Sequence, residues 1–173
     1  MKNLRPQDWL LDPHGCPGFI KNEVKAHEER GAIIHHTEYL HVKIPERYAL
    51  VNVTELVEQA LARSKVYDGF CFVSTMHITA GLYINDAESG LLHDIAGWIE
   101  NLAPFGRDYR HHQTGEDNAD AHLKSFLTNH ALTAPVTHGR LDFGTWQQIF
   151  YGEFDGNRNK RILVKITGIT QHA

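Results

Sequence analysis

The rhythm of apolar and polar residues changes several times along the chain, and each rhythm predicts an element. From Ile34 the pattern alternates over His36, Glu38, Leu40, Val42 and Ile44, a half-buried strand that Pro45 closes. Asn52 then precedes Val53-Thr54-Glu55, and Leu56, Val57, Ala60 and Leu61 share one helical face, so a capped amphipathic helix is expected to about residue 64. Residues 69–76 and 82–84 read as buried strands on either side of Thr79-Ala80-Gly81. A second helix is expected from Asp86 or Glu88, with Leu91, Leu92, Ile95, Trp98 and Ile99 at three-to-four spacing before Pro104. After a polar loop over 105–116, Asp117 or Asn118 caps a third helix whose predicted inner face is Leu123, Phe126, Leu127 and His130. Strands follow at 132–137, 147–154 and 160–167, the last two joined by Asp155-Gly156-Asn157, a hairpin-turn signal.

More strands than helices, mostly with short links, predict an α+β class: one compact domain of mainly antiparallel sheet packed with about three helices. That domain is expected over 31–173. Residues 1–30 scatter Leu4, Trp9, Leu10, Leu11, Phe19 and Ile20 among Pro6, Pro13 and Pro17 without a period, and read as an irregular N-terminal extension. Lys and Arg number 17 against 21 Asp and Glu, so no basic excess points to a nucleic-acid partner. No apolar run reaches the ~18–20 residues of a membrane helix, and the start lacks a secretory signal, so no membrane partner and a cytoplasmic location are expected. Of the two cysteines, Cys71 sits in Gly69-Phe70-Cys71-Phe72-Val73 and reads as a small buried hydrophobe.

The 13 histidines are the unusual feature of the composition. His77 ends a predicted strand, His111 and His112 lie in the loop before the third helix, and His122 stands at the margin of that helix's buried face. A strand-end, a loop and a helix imidazole are what a three-ligand metal site needs, since the nitrogens must meet at ~2.0–2.1 Å from one ion. Asp117, and Glu153 in the apolar run Tyr151-Gly152-Glu153-Phe154, are the carboxylates placed to act as a base beside such a site. A second dense patch, Gly139-Arg140-Leu141-Asp142-Phe143-Gly144-Thr145-Trp146-Gln147-Gln148, joins a guanidinium fork for phosphate or carboxylate to an aromatic ring able to stack. Thr79 and Lys124 are further anion-binding candidates.

Four ordered stretches are similar to the YjbQ family: His77-Ile78-Thr79-Ala80-Gly81-Leu82 with Asn85, Tyr109-Arg110-His111, Asp117 through Ser125, and Gly139-Arg140-Leu141 with Gly144-Thr145-Trp146-Gln147. The resemblance covers about residues 33–168 and implies a compact α+β fold and a homotrimer. It implies His77, His111 and His122 as metal ligands, with Zn²⁺ favoured by three imidazoles and Mg²⁺ by pyrophosphate chemistry. Family members are often labelled secondary thiamine-phosphate synthases. That label implies a transferase that joins a pyrimidine pyrophosphate to a thiazole phosphate, with Thr79, Asn85, Lys124, Arg140 and Trp146 binding the phosphorylated substrates and Gln147, Asp117 and Glu153 assisting. One departure is visible, because Ile78 and Thr79 follow His77 where the family usually has Thr-Ser. Two other classes stay open: a metal-dependent hydrolase with a three-histidine site, and a non-catalytic trimer that binds a metal or an anion.

Overall fold

The structure, a computed structural model, describes residues 10–12, 19–28 and 33–170. Two sheets form its frame. The first has the order β1-β4-β9-β6, built from Leu10–Asp12 (β1), Ala49–Asn52 (β4), Gln148–Glu153 (β9) and Ala80–Asn85 (β6). The second has the order β2-β3-β10-β5-β7-β8, from Phe19–Glu28 (β2), Ile34–Val42 (β3), Lys160–Thr170 (β10), Val66–Thr75 (β5), Ala131–Thr137 (β7) and Arg140–Leu141 (β8). All pairings are antiparallel except β1 with β4. Three helices complete the fold: Thr54–Ser64 (α1), Ser89–Leu102 (α2) and Ala119–Thr128 (α3), with a short 3-10 turn over Arg110–Thr114. The α+β class with mainly antiparallel sheets is what the polarity pattern predicts.

Alternation builds the core. In β3 the inward set is His36, Glu38, Leu40 and Val42, and the cluster continues through Val51, Val57, Leu61, Val73, Leu82, Ile149 and Val164. The two polar members of the β3 face are tolerated because Glu38 is held bidentate by Arg63, at 2.8 Å twice, and by His36 Nε2 at 2.8 Å. Cys71 is buried, and burial pushes its thiol up to about 12. The N-cap of α1 is Val53, not the expected Asn52, whose Oδ1 accepts from Thr54 N and Thr54 Oγ1 one residue earlier; Glu88 caps α2 by accepting from Gly90 N and Leu91 N.

Three further expectations need correction. Residues 10–12 and 19–28 of the N-terminal extension are strands, not irregular arm; β1 edges one sheet and β2 pairs with β3 across the other. The rest of the first thirty residues lies outside the described residues. The Asp155-Gly156-Asn157 turn does not close a hairpin, because β9 and β10 belong to different sheets. It is a corner between them, pinned by Gly156 N donating to Arg47 O and Asn157 N to Ile44 O, and a Cβ on Gly156 would overlap Glu46 O.

The third correction concerns α3. Its inner face is Ala119, Asp120, Ala121, Lys124, Ser125 and Thr128, while Leu123, Phe126 and Leu127 point out, Phe126 with 84% of its surface exposed. The polar side wins the interior because its groups satisfy one another. Lys124 Nζ donates to Asp120 Oδ2 at 2.6 Å and Ala103 O at 2.8 Å and stands 3.0 Å from Glu100 Oε2. Tyr48 OH donates to Asp120 Oδ2 at 2.5 Å, and Ser125 Oγ to Ala80 O at 2.7 Å. No helix among the described residues is long and apolar enough to cross a membrane.

Candidate functional site

The end of β5, the turn that follows it and the C-terminal half of α3 enclose a cleft of about 490 Å³, lined by Thr75, Met76, His77, Ile78, His122, Ser125, Phe126, Asn129 and His130. Chain geometry dictates the approach. Leu82 N donates to Asn129 O at 2.9 Å, Thr75 N to His130 O at 2.8 Å, and a Cβ on Gly81 would overlap Thr128 Oγ1. Glycine at 81 therefore lets α3 end directly against β6, which brings the residues after the helix to the mouth of the cleft. Ile78, 75% exposed, and Phe126 form an apolar rim above a floor of imidazole, hydroxyl and amide groups.

The histidines divide. His122 lies in the cleft, and its ring meets that of His111 edge to face, centroids 4.9 Å apart. Burial, and then the nearby His111, hold the His122 pKa below the ordinary histidine value, against the opposing pull of Asp155, Asp120 and Glu116. His112 turns instead against Tyr109, centroids 5.6 Å apart. His77 lines the same cleft as His122, but its Nε2 accepts the backbone N–H of Arg161 at 3.0 Å. Burial, with the charges of Lys160 and Arg161, lowers its pKa as well. A neutral ring that accepts through Nε2 carries its proton on Nδ1, so what His77 offers the cleft is a donor.

These contacts test the expected metal. Among the described residues no three His, Cys, Asp or Glu side chains stand where one ion could take them all. With its Nε2 lone pair engaged, His77 does not fit as a third ligand in this chain. Of the expected ligands, His111 and His122 are the two whose rings the structure brings into contact, edge against face.

The carboxylates and the substrate candidates fall elsewhere. Glu153 is buried and saturated: it accepts from Tyr151 OH and from Asp155 N, each at 2.9 Å, and is paired with Lys160. Lys160 also donates to Thr79 Oγ1 at 2.9 Å, which ties Thr79 into the same network. Asp117 is held by Arg47 through Nη1 at 3.2 Å, and that hydrogen bond keeps its carboxyl below the usual range. Lys124, with its three acceptors, faces the interior. None of these four lines the cleft. Arg140 pairs with Thr137 at the far end of β7, about 20 Å of strand from His130.

Trp146, 71% exposed, lines a second hollow of about 650 Å³ with Asn52, Asp86, Ala87, Glu88, Thr145 and Gln148, beyond the end of β6. Asn85, whose Oδ1 accepts from Asp86 N, sits beside that hollow, and Gln147 closes the turn by accepting from Gly144 N at 2.8 Å. Two groups of candidates thus sit roughly 17 Å apart along β6. Sequence reasoning missed Asn129 and His130. The available signal was a polar pair directly after a helix, at the C-terminal position where Asn is a common helix stop.

Comparison with known proteins agrees with this architecture. Residues 38–169 match the model of the UPF0047 protein YjbQ-like family. A UPF0047 protein of Archaeoglobus fulgidus is 41% identical over 126 residues, covering 73% of this chain and 97% of its own, and one of Methanothermobacter thermautotrophicus is 38% identical over 133, covering 77% and 92%. A YjbQ-like crystal structure from Sulfolobus solfataricus superposes with a TM-score of 0.74 at 34% identity, over 79% of this chain and 99% of that one. A YjbQ/UPF0047 protein of Clostridium acetobutylicum gives 0.69 at 33%, over 74% and 98%. The chain thus belongs to the YjbQ-like UPF0047 family.

Proposed function

We propose that the chain is an enzyme that takes a phosphorylated small molecule into the His77–His122 cleft, and that its reaction is of thiamine-phosphate-synthase type. The observation that carries this reading is that His77 and His122 line one cleft, with the ring of His111 packed against that of His122. In such a transfer the thiazole nitrogen bonds to the pyrimidine methylene carbon while the carbon–oxygen bond breaks, and the electron pair leaves on pyrophosphate. His77 would donate to the departing oxygen without adding charge. His122, neutral near pH 7 and oriented by His111, would orient the same group by a hydrogen bond. Apolar Ile78 and Phe126 would exclude water from the face on which the heterocycles meet.

Among the described residues no Lys or Arg lines the cleft. A divalent ion on His111 and His122, Zn²⁺ by ligand type or Mg²⁺ by affinity for phosphate oxygens, would supply the positive charge that a leaving pyrophosphate requires. The test is pyrophosphate release by the purified chain, with and without added metal. Release is expected only when both substrates are present, and His122→Ala is expected to lower it about 100-fold or more. Release from the pyrimidine substrate alone overturns the transfer reading.

That outcome is the signature of a second reading, a hydrolase, favoured by the same cation-free lining and by a volume suited to one small ligand. We also infer assembly as a homotrimer. It is supported by the outward apolar face of α3, continuous with the rim of the cleft. Phosphorylated substrates of this kind are made and used in the cytoplasm, and the reading takes the chain to act there.

A further inference from the structure

Asn129 closes α3 with φ 64° and ψ 159°, a conformation open to glycine and strained for any residue with a Cβ. The fold needs that backbone. Its carbonyl must turn to receive Leu82 N, and the chain must pass straight into β7, where His130 O receives Thr75 N. The fold does not need the side chain. Among the described residues the Asn129 amide has no hydrogen-bond partner, the residue is exposed, and it lines the same cleft as His77. Glycine would hold the same turn without strain, so no contact of the amide within the described residues accounts for asparagine here. Exposed and unpaired within the described residues, the amide stands at the mouth of the cleft where a ligand can reach it.

We propose that Asn129 contacts the ligand of this cleft, giving its Nδ2 protons to an oxygen of the phosphate group while the Nδ1 proton of His77 reaches the same group. The proposal rests on the reading of the cleft as a site for phosphorylated compounds, and it adds the residue that selects them. Two neutral donors bind an anion without a fixed positive charge. They favour a ligand whose phosphate oxygens point toward the end of α3, and they disfavour one that presents a donor or a cation there.

The experiment titrates pyrophosphate into the full-length chain by calorimetry, for the wild type, Asn129→Gly, Asn129→Asp and His122→Ala, with a thermal melt of each. Asn129→Gly is expected to melt at the same temperature or about 2–6 °C higher, because strain is relieved, yet to bind about tenfold more weakly. Asn129→Asp, which puts a carboxylate against the anion, is expected to bind more weakly still. Wild-type affinity in Asn129→Gly, with binding still lost in His122→Ala, overturns the role of Asn129 and leaves the cleft assignment standing. A lowered melting temperature in Asn129→Gly overturns it too, since the amide would then support the fold. A wild type that binds no pyrophosphate removes both the cleft assignment and the contact.

Discussion

His77 shows how one hydrogen bond decides what a side chain can do. Its Nε2 is engaged by Arg161 N–H, and the charges nearest it, Lys160 and Arg161, are both positive. Burial disfavours the imidazolium, and protonating Nε2 would also break the bond and add a third cation to that corner, so the His77 pKa lies below the ordinary value of about 6.5. The sign of the linkage follows. When the folded pKa is below the unfolded one, the unfolded chain binds more protons in the interval between them, so stability falls as the pH drops below about 6.5 and levels off beneath the folded pKa. The difference in melting temperature between pH 7.5 and pH 5.0 is therefore expected to be smaller in His77→Asn, which keeps an acceptor but does not titrate, than in the wild type. An equal difference in the two proteins would mean that the ring is not held neutral by this contact.

At the scale of elements, α3 decides where the chemistry can be. Lys124 was expected to grip a phosphate; it anchors the helix instead, its ammonium meeting Asp120, Glu100 and the Ala103 carbonyl in the interior. Removing one member of a buried ionic group leaves the others unpaired, so Lys124→Met is expected to cost about 3–5 kcal/mol in denaturant unfolding. A second change, Asp120→Leu, should recover part of that loss. Pyrophosphate affinity, measured under conditions where the variant is folded, should be unaffected. Lost affinity at wild-type stability would return Lys124 to the site.

The same helix marks how far polarity alone could be read. The alternation of β3 and the starts of α1 and α2 near Asn52 and Glu88 were legible because neighbours in sequence create them. The facing of α3 was not, because Asp120 and Lys124 look like a solvent face until residues far along the chain, Tyr48 and Glu100, arrive to satisfy them. Asp155-Gly156-Asn157 reads the same whether the next strand pairs back or crosses to another sheet. The strand at 19–28 pairs with β3, the next strand along, and the one at 10–12 with β4, and neither shows an apolar period of its own in the sequence. Spacing singled out His77, His111 and His122. The Asn129 contribution was hidden because its signal is a backbone angle.

Over the whole molecule, the inversion of α3 leaves apolar surface that a lone soluble chain would not be expected to keep. Leu123, Phe126 and Leu127 point outward from the helix, and Met76 and Ile78 are exposed on the turn across the cleft from Phe126. Exposed apolar side chains of this kind are where association with another chain is expected. Association of three chains would bury it and dry the mouth of the cleft, which connects assembly to the proposed chemistry, since a water-poor rim strengthens each hydrogen bond to a bound phosphate. Light scattering behind size exclusion is therefore expected to give a mass about three times the 19.7 kDa of the chain. Phe126→Asp, at a site 84% exposed in the single chain, should fold with an unchanged circular-dichroism spectrum and elute as a monomer. If the patch instead served only the ligand, the same substitution would weaken pyrophosphate binding and leave the mass untouched. A wild-type chain that is monomeric at micromolar concentration would detach the outward face of α3 from assembly altogether.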